Sequence, residues 1–193
     1  MSRWGRIDLI VANAGILRDK SFAKMEIADV EAVLDVHVMG SVKPIKAAWE
    51  IMRTQNYGRI VVTTSPTGLY GNFGQANYGI AKAGLVGFMQ TLKIEGAKYN
   101  VRSNAICPVA ATRMTEGIIP AEATARFDPA LVSPGVAFLL SEEAPNGVVL
   151  TAGGGVFSVA RIFEMKGRPT FNPLIIHVAD MALGEQLVEM TPL

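Results

Sequence analysis

The 193-residue sequence predicts an α/β chain built on a parallel, doubly wound sheet. Two observations carry this expectation. Short apolar runs alternate with stretches whose apolar residues step by three and four, as strands alternating with helices do. The runs also lack a clean in–out alternation, which marks strands covered on both faces.

The first strand is expected at 7–12, an apolar run closed by Asn13, Ala14 and Gly15. From Asp29 to about Arg53, residues such as Val33, Leu34, Ile45, Trp49 and Met52 recur at helical spacing, with Pro44 expected to kink or interrupt the helix. A second strand, 59–64, is rich in β-branched residues. Gly68, Gly71 and Gly74 mark 65–75 as a loop. A long helix is expected over 76–98, then a third strand over 101–107 that stops at Pro108. The stretch 113–127 reads as irregular and partly helical, 129–140 as a helix, and 147–151 as a last short strand ahead of Gly153, Gly154 and Gly155. Sheets of this class bind ligands beyond the carboxyl ends of their strands. Asn13, Ser65 and Pro108 fall at such ends.

Half of the residues are apolar and 18% are charged, so the chain is built to bury surface. The net charge is +1 and its cations are scattered, which leaves no basic stripe to follow a nucleic acid. Cys107 is the single cysteine, so no internal disulfide can form and a reducing compartment fits. Its neighbours Ile106 and Pro108 suggest a buried hydrophobe instead of a nucleophile. No apolar run reaches membrane-spanning length, and the N-terminus lacks the apolar centre of a signal peptide. No membrane partner is expected, and a cytoplasmic location is the default.

Tyr78 and Lys82 stand four residues apart on a helix, hence on one face. A nearby ammonium should pull the phenol below its usual ~10, towards a usable general acid or base. Alone, the pair describes an ordinary surface contact equally well. Ser65 lies thirteen residues earlier at a strand end, where its hydroxyl could donate to a substrate carbonyl while Tyr78 delivers the proton. In isolation Ser65 reads as an ordinary turn serine, and Asn13–Gly15 as a strand-ending turn.

Taken together, Asn13-Ala14-Gly15, Ser65, Tyr78-x-x-x-Lys82 and Pro108 with Thr112 beyond it resemble the short-chain dehydrogenase/reductase family. Order and spacing agree over roughly residues 4–157, within a dehydrogenase part expected to span residues 1–158. The resemblance implies a Rossmann-type fold, with NAD or NADP as cofactor and a carbonyl or alcohol substrate. It also implies roles. Tyr78 would be the acid/base, Lys82 its electrostatic partner and a holder of the nicotinamide ribose, and Ser65 the group orienting the substrate. Asn13, Ala14 and Gly15 would line the adenosine side of the cofactor, and Pro108, Val109 and Thr112 the nicotinamide side. A helix asparagine often joins the proton relay in this family. His37 stands at that position, either near the relay or as a packing histidine. The segments Gly68–Tyr78, 94–100 and 113–115 are similar to the (3R)-hydroxyacyl-CoA dehydrogenase units of multifunctional β-oxidation enzymes, which points to an acyl-thioester substrate. The resemblance further implies a homo-oligomer, with Pro44 on the helix face commonly used.

Two departures qualify the resemblance. The family's Gly-rich loop, T-G-x-x-x-G-x-G, does not occur here, so the chain reads as a partial sheet lacking its first βαβαβ half. The first strand is then expected to form an open apolar edge. Residues 159–193 form a tail in which Lys166, Arg168 and Asn172–Asp180 resemble a fragment of the threonylcarbamoyl-AMP synthase family. The principal expectation is an NAD(P)-dependent oxidoreductase interconverting 3-hydroxyacyl and 3-ketoacyl thioesters. Beside it stand a catalytically idle remnant that associates through its helices, and nucleotide binding by the tail. Pro66, finally, should hold Ser65 in an extended conformation.

Overall fold

A computed structural model describes residues 3–116 and 119–160. The tail resemblance, with Lys166 and Arg168, therefore lies outside the described residues. Five strands form one sheet in the order β1-β2-β3-β4-β5. These are β1 (Leu9–Ala12), β2 (Gly58–Thr63), β3 (Val101–Val109), β4 (Val149–Gly153) and β5 (Val156–Ala160). The first four pair in parallel, and β5 turns back antiparallel on β4. The sheet is thus mostly, not wholly, parallel. The three consecutive glycines explain the difference. Gly154 and Gly155 have φ of +60° and +77°, which suits a two-residue hairpin turn between β4 and β5.

The central strands sort their side chains by parity. Ile60, Val62, Ala105, Cys107 and Val149 face one layer. There they meet Ile45, Trp49 and Met52 of α2 (Gly40–Gln55) and Leu85, Val86 and Met89 of α4 (Ala76–Gly96). Val61, Ile106, Leu150 and Ala152 face the other layer, against Leu139 of α5 (Ser133–Leu140). This two-sided burial is why the strands read as continuous apolar runs. β1 lies at the sheet edge, with Leu9 49% and Val11 44% exposed, as expected for an open apolar edge.

Two helical expectations need correction. The first long helix is not broken at Pro44. It runs as α1 (Ile27–Leu34), a π-helical turn over Asp35–Met39, and α2, with Pro44 inside α2. The Gly40 N–H reaches back to the Asp35 carbonyl, so the irregularity is a wide turn upstream of the proline. The segment after Ser65 is not all loop, because Pro66–Tyr70 forms α3. Ser65 caps it, and Pro66 occupies a first-turn position where its missing N–H does no harm.

Candidate active site

The end of β2 and the first turns of α4 bring three of the expected residues together. Ser65 is extended, with φ −156° and ψ 154°, as a residue before proline should be. Its Oγ accepts the Thr67 N–H at 3.2 Å and so remains free to donate its own proton. Lys82 is buried on α4. Its Nζ donates to the Thr63 carbonyl at 2.7 Å, and its own carbonyl accepts the Thr64 hydroxyl at 2.9 Å. The same Nζ lies 5.5 Å from the centre of the Tyr78 ring.

Electrostatics here run against the expectation from spacing. Burial raises the Tyr78 phenol above its ordinary 10, with the Ser65 hydroxyl pulling the other way. Burial also lowers Lys82 to about 8. Removal from water disfavours either charge, and Lys82 sits against the ring while bonding to the backbone. Desolvation therefore outweighs the attraction that was expected to lower the phenol.

His37 projects from the π-helical turn and is buried. Its ring meets Tyr78 edge to face at 5.2 Å. Nε2 lies 3.0 Å from the Ile16 nitrogen and 2.8 Å from its carbonyl oxygen, while Nδ1 has no hydrogen-bond partner among the described residues. Burial lowers the imidazole below its ordinary 6.5, and Lys82 adds to that lowering against the Ile16 contact. Gly15 sits directly on the ring, where a Cβ would come within 2.5 Å of His37 Cε1. Only glycine lets the chain pass that close.

Asn13 accepts the Thr63 hydroxyl at 2.8 Å, which ties the ends of β1 and β2, and Ala14 is exposed beside it. Pro108 and Val109 end β3 opposite Ala152 and Gly153. Cys107 is buried, as expected, and its thiol is pushed up to about 12 by burial. Thr112 caps its own turn through Met114 and Thr115. The structure thus gathers Ser65, Tyr78, Lys82, His37 and Gly15, joins Asn13 through Thr63, and leaves the hydrogen bonds of Thr112 within residues 112–115.

Sequence reasoning missed Gln75 and Asn77, both buried and both bonded to residues 18–19. A signal for Asn77 existed. It precedes Ala81 and Leu85 by four and eight residues, so it is a polar side chain on the apolar line of α4.

The profile of the short chain dehydrogenase family matches residues 1–123. The chain belongs to the short-chain dehydrogenase/reductase family. A Mycobacterium tuberculosis protein named as a short-chain type dehydrogenase/reductase is 49% identical over 168 residues, 86% of this chain and 59% of its own length. The peroxisomal multifunctional enzyme type 2 of Drosophila melanogaster is 47% identical over 197 residues, 95% of this chain and 33% of its own. The solved structure of that Drosophila enzyme superposes with a TM-score of 0.73 at 37% identity, covering 93% of this chain and 32% of the other. The chain therefore spans 59% of the mycobacterial relative and about a third of the Drosophila one. By descent it is an oxidoreductase.

Members of the family use NAD or NADP, and the residues present fit the nicotinamide-riboside end of such a cofactor. Lys82 spends one of its three donors on Thr63, which leaves two for ribose hydroxyls. Tyr78 adds a phenol beside them. Among the described residues no group of His, Cys, Asp and Glu could hold a metal ion, and no helix is long and apolar enough to cross a membrane.

Proposed function

We propose that the chain interconverts 3-hydroxyacyl and 3-ketoacyl thioesters through Ser65, Tyr78 and Lys82. The observation that carries this reading is the buried Lys82 ammonium held between the Thr63 carbonyl and the Tyr78 ring, with the Ser65 hydroxyl acting on the same phenol. Ser65 would donate to the substrate oxygen and fix its direction. Tyr78, a phenol at neutral pH whose ionisation burial makes harder still, would give that oxygen a proton in reduction and take it back in oxidation. Lys82, lowered to about 8, would favour the phenolate that results and exchange its proton close to working pH. His37 would hold the residue 15–16 backbone against Tyr78. Lys82 and Tyr78 would hold the nicotinamide ribose, with Asn13, Ala14 and Gly15 on the adenosine side and Pro108, Val109 and Thr112 on the nicotinamide side. The bound NAD or NADP would supply or accept the hydride.

The acyl-thioester substrate is supported by similarity to multifunctional enzymes named for hydratase, dehydrogenase and epimerase functions, among them one of Saccharomyces cerevisiae that is 45% identical over 174 residues. We further infer association of like chains. A groove of about 200 Å³ between α2 and α4, lined by Val42, Ile45, Trp49 and Phe88 among others, and the exposed Ile94 nearby support it. The cytoplasmic location rests on sequence alone, whereas several relatives are named peroxisomal.

The test is titration with NADH and NADPH followed by nucleotide fluorescence, then turnover of a 3-ketoacyl-CoA. Micromolar binding with turnover that drops by about 10²-fold or more in Tyr78→Phe supports the reading. No binding up to millimolar nucleotide sinks it and leaves an inherited but idle site.

A further inference from the structure

Three stretches of chain meet at the first turn of α4, and two amide side chains join them. Asn77 is fully buried. Its Nδ2 donates to the Arg18 carbonyl at 2.9 Å, and its Oδ1 accepts the Tyr78 N–H at 2.7 Å. That N–H is one of the first-turn donors that no helical carbonyl can reach. Gln75 is nearly as buried. It donates through Nε2 to Asp19 at 2.7 Å and accepts through Oε1 from the Thr67 hydroxyl at 2.8 Å and from Asn72 at 3.1 Å. The Lys20 N–H closes the same seam on the Gly74 carbonyl at 2.9 Å.

Each amide links elements that carry different parts of the site. Arg18 and Asp19 continue the segment that begins with Asn13, Ala14 and Gly15 and holds His37 through Ile16. Thr67 lies in α3, two residues past Ser65. Tyr78 follows Asn77 directly. A buried amide is costly unless bonded, and an apolar residue at 77 would satisfy the face it shares with Ala81 and Leu85. Its presence is accounted for by the bonds it makes.

We propose that Asn77 and Gln75 are positioning residues that latch the 13–20 segment and α3 to the first turn of α4, so that Tyr78 is held against Ser65. A group seated on Asn13–Gly15 would then also set the geometry of the tyrosine. The catalytic meaning of this rests on the oxidoreductase reading, whereas the latch itself does not.

Labelling the four tyrosines with ¹³C at Cζ lets each phenol be titrated by NMR in the full chain, with Tyr78→Phe assigning one resonance. Asn77→Ala removes the bond to Arg18. Asp19→Ala removes the acceptor of Gln75 from an exposed position. Both variants are expected to displace the Tyr78 midpoint by about half a pH unit or more, while Tyr57 and Tyr99 keep theirs. Amide exchange across residues 15–20 should rise by about tenfold or more. Because the Asp19 charge also acts directly on the phenol, Asp19→Ala is read against Asp19→Asn, which loses the same charge but keeps an acceptor for Gln75. Equal Tyr78 midpoints and equal amide exchange in the two folded variants overturn the proposal. If Asn77→Ala does not fold, the comparison of Asp19→Ala with Asp19→Asn decides alone. Neither readout needs turnover, so a chain without activity would refute the oxidoreductase reading and leave the latch to be judged by the titration.

Discussion

The Tyr78 ring and the His37 imidazole meet edge to face, their centroids 5.2 Å apart and their planes at 89°. The residue standing where family members often carry an asparagine thus packs on the tyrosine through its ring, while its Nε2 lies against the Ile16 backbone. Gly15 lies against the same imidazole, nearest its Cε1.

That arrangement makes Gly15→Ala a sensitive probe. Its methyl would fall 2.5 Å from His37 Cε1, so the ring or the backbone must move. The expected loss is about 1–3 kcal/mol in urea unfolding. In the His37→Ala background the same substitution should cost clearly less, because the clash is gone. Equal losses in both backgrounds would show that the two residues do not meet.

The buried Lys82 and Cys107 predict a stability profile with two opposing limbs. Lys82 titrates at about 8 when folded against an ordinary 10.5, so above pH 8 the unfolded chain holds more protons and stability rises with pH. Cys107 titrates at about 12 when folded against an ordinary 9.0, so above pH 9 the folded chain holds more and stability falls. From pH 8 to 9 Lys82 should contribute a gain of about 1 kcal/mol. Above that, the two limbs offset each other. Urea midpoints across this range should keep rising past pH 9 in Cys107→Ala and lose the rise in Lys82→Met.

Arg59 should matter far more than its charged partner. Its guanidinium is fully buried and donates to the carbonyls of Gly58, Asn100 and Ser141, whereas Glu142, 3.3 Å away, has a side chain 71% exposed. Arg59→Met removes donors from three carbonyls, of which Asn100 keeps the Gly58 N–H, and is expected to cost about 2–4 kcal/mol. Glu142→Ala should cost below about 1 kcal/mol. Thermal or urea unfolding of the two variants distinguishes them.

If like chains associate through α2 and α4, a charge at Ile94 should weaken them. Ile94 is 75% exposed, so Ile94→Arg leaves the fold of the single chain intact. Light scattering should show a lower mass at equal concentration, and an unchanged mass would move the interface elsewhere.

Much of this was legible in the sequence, for physical reasons that can be named. The apolar runs of β2 and β3 and the spacing of Ser65, Tyr78 and Lys82 depend on local pattern, and the elements formed where that pattern put them. α3 was hidden because three glycines argued for a loop, although Ser65 followed by Pro66 is itself a helix-start signal. The π-helical turn that carries His37 has no compositional mark. β5 was obscured because its partner register depends on a hairpin turn placed within a run of glycines. The direction of the Tyr78 shift was out of reach for another reason. Spacing reveals which charges are neighbours, but desolvation depends on the whole packed layer above them.

Lys82 fastens the end of β2 to α4 twice, once through its ammonium and once through its carbonyl. The carbonyl belongs to the backbone and would stay whatever side chain stood at 82, whereas the buried ammonium lowers stability at neutral pH. Selection for folding alone would therefore not preserve the lysine. Persistence of a buried lysine in a lineage testifies to chemistry still in use, not to architecture.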